Sequence, residues 1–142
     1  MRVEKMLDLD CKVLKYLYRS PNQKVGDIAK EFQLAHSTIG SSVKRLENEK
    51  LVSYERYQIV ELTHKGKNLA IELSRHAQLL EILLFNELGL TVKQAHQESE
   101  KFNLLFSCET INKICEKYKH PRTCPCGDQI YSSTNCFCED ES

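Results

Sequence analysis

The 142-residue chain carries 20 Lys/Arg and 20 Asp/Glu, a formal net charge of zero, with 41% hydrophobic and 28% charged residues. These values are those of an ordinary globular protein and exclude a disordered or collagen-like chain. No apolar run approaches the roughly 20 residues of a membrane span, and the N-terminal stretch MRVEKMLDLD lacks a signal-peptide core, so a cytoplasmic protein with no membrane partner is expected. The neutral total hides a division: residues 1–70 hold 13 Lys/Arg against 9 Asp/Glu, whereas residues 71–142 hold 7 against 11. The first half is therefore the one suited to phosphate contact. Seven cysteines are many for a reducing compartment, and four of them (Cys124, Cys126, Cys136 and Cys138) fall in the last 19 residues. Such crowding favours metal or redox chemistry over structural disulfides.

In residues 6–19, Met6, Asp10, Val13, Leu14 and Leu17 recur with helical spacing, and Ser20-Pro21-Asn22 ends the segment. Val25, Ile28, Ala29 and Phe32 predict a short second helix over 25–33, followed by a turn at Gln33-Leu34-Ala35. Ile39, Val43 and Leu46, at i, i+4 and i+7, predict the buried face of a third helix. Its other face carries His36, Ser37, Thr38, Gly40, Ser41 and Lys44, with Arg45 beside it. Small hydroxyl residues on a helix entering the major groove can bond base edges or phosphates. LVSYERYQIVELT then alternates around Tyr57 as two short strands do, placing Arg56 to reach the DNA backbone or minor groove. Helix, turn, helix and β-ribbon together predict a winged helix-turn-helix over residues 1–63.

From Thr63 to about Glu87 a long helix is expected, with Leu69, Leu73, His76, Leu80, Leu84 and Glu87 on one stripe and Leu79, Leu83 and Leu88 widening it. So much apolar face exceeds what a small reader covers and points to a dimer interface. Gly89 stops this helix, Thr91 caps one over about 92–105, and Ser107 caps a last one. Along the last helix Cys108, Ile111, Ile114, Cys115 and Tyr118 share a stripe, which makes the two cysteines small buried hydrophobes. The fold class expected is mainly α with a small β-wing: a reader, a helical dimerisation and sensing domain over 64–120, and a Cys-rich tail over 121–142.

In IAKEFQLAHSTIGSSVKRLENEKLV, LVSYERYQIVELTHKGKNLA, LLEILLFNELGLTVKQAHQESE and PRTCPCGDQI, taken in that order, the chain resembles the iron- and manganese-dependent repressors of the DtxR/MntR family over about residues 7–130. The resemblance implies a homodimer that binds a palindromic double-stranded operator when its helical domain holds a divalent metal. It places operator contacts at Ser37, Ser41 and their neighbours, and family ligand positions at Glu81, His96 and Glu100. Other family positions depart: the long-helix histidine falls on Ala77, with His76 one place early, and Asn103 and Leu104 stand where Glu and His are usual. In the first helix the ligand position falls near Leu9, with Asp10 close by. Glu81, His96, Glu100 and Asp10 are thus the inherited candidates for Mn²⁺, Fe²⁺ or Zn²⁺. Within the reader, Gln33 takes a turn position usual for Gly, and Ala35 replaces the usual capping hydroxyl.

In the tail, C-x-C, nine residues and C-x-C bring Cys124, Cys126, Cys136 and Cys138 into two close pairs, with Cys126 where the family turn has His. Four thiolates can surround one zinc ion or hold an iron–sulfur cluster. The function expected is a metal- or redox-responsive DNA-binding regulator. A constitutive DNA-binding protein with a structural tail metal, and a metal-buffering or redox protein using the winged helix for protein contact, are the alternatives. No glycine-rich phosphate loop, nucleophile elbow or H-E-x-x-H motif occurs, so an enzyme is not expected.

Overall fold

The computed structural model describes residues 6–55, 59–102 and 107–132, which fall into two compact units dividing between Ala70 and Ile71. The first opens with α1 (Asp8–Arg19), α2 (Val25–Phe32) and α3 (His36–Asn48). Helix α1 starts where Asp10 Oδ2 accepts the Leu7 N–H at 3.1 Å, satisfying one of the donors that a helix N-terminus leaves open. The expected stripe of α1 is its buried face, with Val13, Leu14 and Leu17 shielded from solvent beside the α2 residues Val25, Ile28 and Ala29 and the α3 residues Ile39, Val43 and Leu46. Tyr16 and Phe32 add an edge-to-face ring contact, 5.5 Å between centroids.

The turn between α2 and α3 is a Schellman motif. Gln33 sits in the left-handed region (φ 55°, ψ 42°), with its N–H on Lys30 O and the Leu34 N–H on Ala29 O at 3.0 Å. The chain therefore carries a Cβ through a conformation that normally favours glycine. Helix α3 begins after Ala35 with no side-chain cap, as the missing hydroxyl implies. A second left-handed residue, Lys50 (φ 61°), ends it in the same way, with Leu51 N donating to Leu46 O at 2.9 Å.

The wing is shorter than the alternation suggests. Strands β1 (Val52–Ser53) and β2 (Glu61–Leu62) pair antiparallel, Val52 opposite Leu62, and Val60 makes a further bridge to Gln23. Tyr57 and Arg56 lie outside the described residues. Thr63 then joins wing to helix: its hydroxyl donates to Lys50 O at 2.7 Å and accepts the Gly66 N–H at 3.0 Å. Gly66 is tight for a second reason, because a Cβ there would collide with the Leu51 carbonyl.

Beneath the reader helix lies a buried polar knot. Asp10 is fully buried; its Oδ1 accepts from Ser42 Oγ at 2.6 Å and from Arg45 Nη2 at 2.9 Å, and its Oδ2 accepts from Arg45 Nε at 2.9 Å. A bidentate guanidinium and a hydroxyl satisfy a carboxyl group that burial would otherwise penalise heavily. The knot ties α1 to α3.

Helix α4 (His64–Leu88) runs on into the second unit, where α5 (Val92–Glu100) and α6 (Cys108–Lys117) follow. Gly89 (φ 67°) ends α4. Thr91 and Gln94 form a reciprocal capping box at α5, with bonds of 3.1 and 3.0 Å, and Ser107 Oγ accepts the Thr110 N–H at α6. Helix α5 is shorter than expected, ending at Glu100. The core of this unit is Leu79 and Ile82 of α4, Ile111 and Cys115 of α6, and Cys124 and Ile130 from the C-terminal segment. Residues 122–131 are thus packed into the helical unit rather than forming a separate tail. Polar bonds to Gln78 and Arg75 help hold them to α4: Gln78 Nε2 to Gln129 O at 2.9 Å, Tyr131 N to Gln78 Oε1 at 3.0 Å, and Arg75 Nη1 to Tyr131 O at 2.9 Å.

Two stability measurements check this fold. Gln33→Gly relieves the left-handed strain and is expected to raise the unfolding free energy by about 0.5–1 kcal/mol, read from the urea midpoint. Asp10→Asn removes the charge that holds Arg45, which is itself part-exposed, and is expected to lower it by about 1–3 kcal/mol.

Candidate metal centre and DNA-reading surface

His36, Ser37, Thr38, Ser41 and Lys44 are exposed, while Ile39, Val43 and Leu46 face inward. Gly40 has no heavy atom within 4 Å of a would-be Cβ, so its small size leaves open surface rather than easing internal packing. Arg45 is half-buried and lies against Asp10 of α1. Its guanidinium is committed to Asp10, and that hydrogen bond raises its pKa above the ordinary arginine value. The first turn of α3 is not capped by any side chain.

Asp10 was also a metal candidate. Both of its oxygens are engaged by Ser42, Arg45 and the Leu7 N–H, leaving it a structural role in the first unit. Its neighbour Cys11 is buried, and burial pushes its thiol up to about 11, which keeps it a neutral packing group.

In the second unit three separated residues converge. Glu81 of α4 is buried, with 1% of its surface exposed, so both carboxyl oxygens need partners. Oε1 lies 3.0 Å from His96 Nδ1 on α5, and Oε2 accepts the Cys126 N–H at 3.2 Å. One ligand atom from each of Glu81, His96 and Cys126 can be chosen so that all lie within 4.8 Å of one another. Cys126 is shared with a second group, Cys124 and Asp128, on the same turn. The two sulfurs are 2.7 Å apart, and Cys126 Sγ is 3.6 Å from Asp128 Oδ2. The turn is closed by Cys124 N to Asp128 O at 2.9 Å and Gly127 N to Cys124 O at 2.8 Å, with Gly127 at φ 98°.

The sequence reading treats the inherited residues and the tail cysteines as two sites. The structure brings Glu81 and His96 together with Cys126 instead, and Glu100, one turn beyond His96, is not in either group. Cys136, Cys138 and Asn103 lie outside the described residues. Asp128 was missed; its only sequence signal is its position two residues after Cys126. His76 pairs with Glu72 at 3.2 Å on the buried side of α4 and joins neither cluster.

The donor set fits a divalent transition ion: an imidazole, a carboxyl oxygen and thiol sulfur on three elements of one unit. Electrostatics agree. Without a cation the Cys126 thiol is pushed up to about 12, by partial desolvation first, then by its contact with Cys124 and by the Glu81 carboxyl group. A metal ion at this point reverses that balance, since a coordinating thiol gives up its proton.

Comparison with known proteins agrees with this architecture. Residues 63–132 match the family model for the iron dependent repressor metal binding and dimerisation domain, and residues 11–54 match that of the bacterial regulatory protein arsR family. The iron-dependent repressor IdeR of Mycobacterium tuberculosis is 29% identical over 103 residues, covering 72% of this chain and 45% of the relative. The diphtheria toxin repressor of Corynebacterium glutamicum is 28% identical with the same coverage. The chain therefore spans about half the length of the curated relatives it matches. Among solved structures, the hypothetical protein SSo2273 of Sulfolobus solfataricus superposes with a TM-score of 0.71 at 28% identity, covering 88% of this chain and 96% of that one. A manganese-dependent transcriptional repressor in complex with manganese gives 0.73 at 27% identity, over 85% and 57% of the two chains. With a winged helix-turn-helix in its first unit and a metal-type donor cluster in its second, the chain is similar to the metal-dependent repressors of the DtxR/MntR type.

Proposed function

We propose that this protein is a metal-responsive transcriptional regulator that binds a palindromic operator as a homodimer. The convergence of Glu81, His96 and Cys126 carries the reading, because a buried acid, an imidazole and a thiol on three separate elements form a metal-type donor set that simple packing does not require. The exposed face of His36, Ser37, Thr38, Ser41 and Lys44 supplies the reader. Ser37 and Ser41 contact base edges, and Lys44 and the open first turn of α3 contact phosphates. Leu88 and Val92, 65% and 41% exposed in the second unit, support an apolar dimer surface there.

Thiol donors shift the metal preference. A site of Glu81, His96 and Cys126, with Cys124 beside it, suits Zn²⁺ or Fe²⁺ better than Mn²⁺, whose chemistry favours oxygen ligands. The ion would supply charge that fixes α5 and the C-terminal turn against α4. Cys136 and Cys138 complete a four-cysteine zinc site in the alternative reading, and the experiment below separates the two. A constitutive DNA-binding protein is the second reading. The Asp10–Arg45 pair favours it, because it fixes α1 to α3 with no metal.

The test is a fluorescence-anisotropy titration against a duplex selected from a random library by the wild-type protein, with Zn²⁺, Fe²⁺ or Mn²⁺ or with chelator. Metal should tighten binding by at least about tenfold, a coupling of roughly 1–3 kcal/mol, whereas equal affinity with chelator establishes the constitutive reading. Ser41→Glu should abolish binding while the dimer persists in sedimentation. His96→Ala should weaken metal affinity and leave Cys136→Ser without effect; the reverse result moves the site to the four cysteines. Because the Cys126 thiol holds its proton until about 12, metal must displace it. Affinity should therefore rise as pH rises, by about tenfold per unit for each proton released, measured by competition with a chelating dye.

A further inference from the structure

The Cys124–Cys126 pair offers more than ligands. We propose that it is a peroxide-sensitive dithiol whose oxidation to an intramolecular disulfide withdraws the sulfur donor from the Glu81–His96 centre. The inference rests on the metal-site reading above and adds a regulatory input to it.

The two sulfurs lie 2.7 Å apart, closer than non-bonded sulfur atoms normally pack. An S–S bond of about 2.05 Å needs only a short further approach. That proximity is built into the turn: Pro125 fixes one backbone angle between the cysteines, and the Cys124–Asp128 and Cys124–Gly127 backbone bonds hold the loop closed. The pair is also asymmetric. Cys126 is exposed, whereas Cys124 is 4% exposed and packed in the apolar cluster with Ile130 and Cys115. Exposure assigns Cys126 the attack on the oxidant and Cys124 the resolving step.

The chemistry balances with hydrogen peroxide as the oxidant. In the metal-bound state Cys126 has already given up its proton to solvent, and its thiolate sulfur attacks the peroxide. The O–O bond breaks, Cys126 becomes a sulfenic acid, and the departing hydroxide takes up a proton as water. Cys124 sulfur then attacks the Cys126 sulfur; the S–S bond forms, the S–O bond breaks, and the Cys124 proton leaves with the hydroxyl as a second water. Two thiols are oxidised by two electrons in total, and one peroxide is reduced to two waters. A disulfide sulfur carries no thiolate charge, so the metal loses its sulfur donor. A disulfide closed across one intervening residue, with one exposed sulfur, is of the readily reduced kind, so the change is reversible.

The test uses the full chain loaded with Zn²⁺ and treated with hydrogen peroxide. Free thiols, released zinc and the tryptic peptide Thr123–Ser142, whose fragment ions separate the 124/126 pair from Cys136 and Cys138, are followed together. The expected result is loss of two thiols and about 2 Da within the 124–126 segment, release of zinc in parallel, and reversal of both by dithiothreitol. In Cys124→Ser the loss should be replaced by a dimedone-trapped sulfenic acid at Cys126. The inference is overturned if the pair stays reduced while zinc is released, if either cysteine bridges to Cys136 or Cys138, or if peroxide drives Cys126 directly to sulfinic acid. Should the chain bind no zinc at all, the metal-site reading fails; the thiol count and peptide mass still decide whether the dithiol forms.

Discussion

The second unit depends on one buried carboxyl group. Glu81 lies on the inner side of α4 with almost no solvent contact, and burying a polar group without partners costs several kcal/mol. It is satisfied by two elements at once, His96 from α5 and the Cys126 N–H from the C-terminal turn. Satisfying Glu81 therefore fixes where α5 lies and how the Cys-Pro-Cys turn is presented. The apolar cluster of Leu79, Ile82, Ile111, Cys115, Cys124 and Ile130 supplies the mass of the packing, and Gln78 and Arg75 clamp the following strand-like segment to α4. Three metal-type donor groups, Glu81, His96 and Cys126, are thereby brought within 4.8 Å of one another.

The first unit solves a comparable problem differently. Asp10 is buried between α1 and α3 and is satisfied by Arg45 and Ser42, both from the reader helix. A ligand-like carboxyl group is thus taken up by a half-buried arginine of α3, beside the exposed His36, Ser37, Thr38, Ser41 and Lys44. Helix α4 begins in this unit and ends in the other, so the same element carries Gly66 against the Leu51 carbonyl and Glu81 in the donor cluster.

Local chemistry was legible because it acts over short range. The stripes of α1 and α3, the caps at Thr91 and Ser107, the stop at Gly89 and the left-handed Gln33 all follow from neighbours within five residues. Strand length was less legible: the alternation around Tyr57 extends further than the two-residue strands, because alternation measures which side chains can face inward and not how many backbone bonds form. The end of α5 at Glu100 was likewise missed, since helical periodicity in 92–105 carries no stop signal before Ser107.

The sequence by itself determined the element order, the inward faces of α1 and α3 and the likeness to metal-dependent repressors, since periodicity, caps and motif order are properties of contiguous residues. Only the tertiary structure decided which polar residues meet. Glu81 and Cys126 are 45 residues apart and Asp10 and Arg45 are 35 apart, and no spacing rule reaches that far. Each pairing follows from burial: a carboxyl group carried into the core by an apolar stripe must find donors there, and the donors are whatever the packing of other elements delivers. For Asp10 that was a reader-helix arginine, which withdrew it from the metal candidates. For Glu81 it was a histidine and the backbone of a cysteine turn, which set two inherited candidates beside one of the tail cysteines.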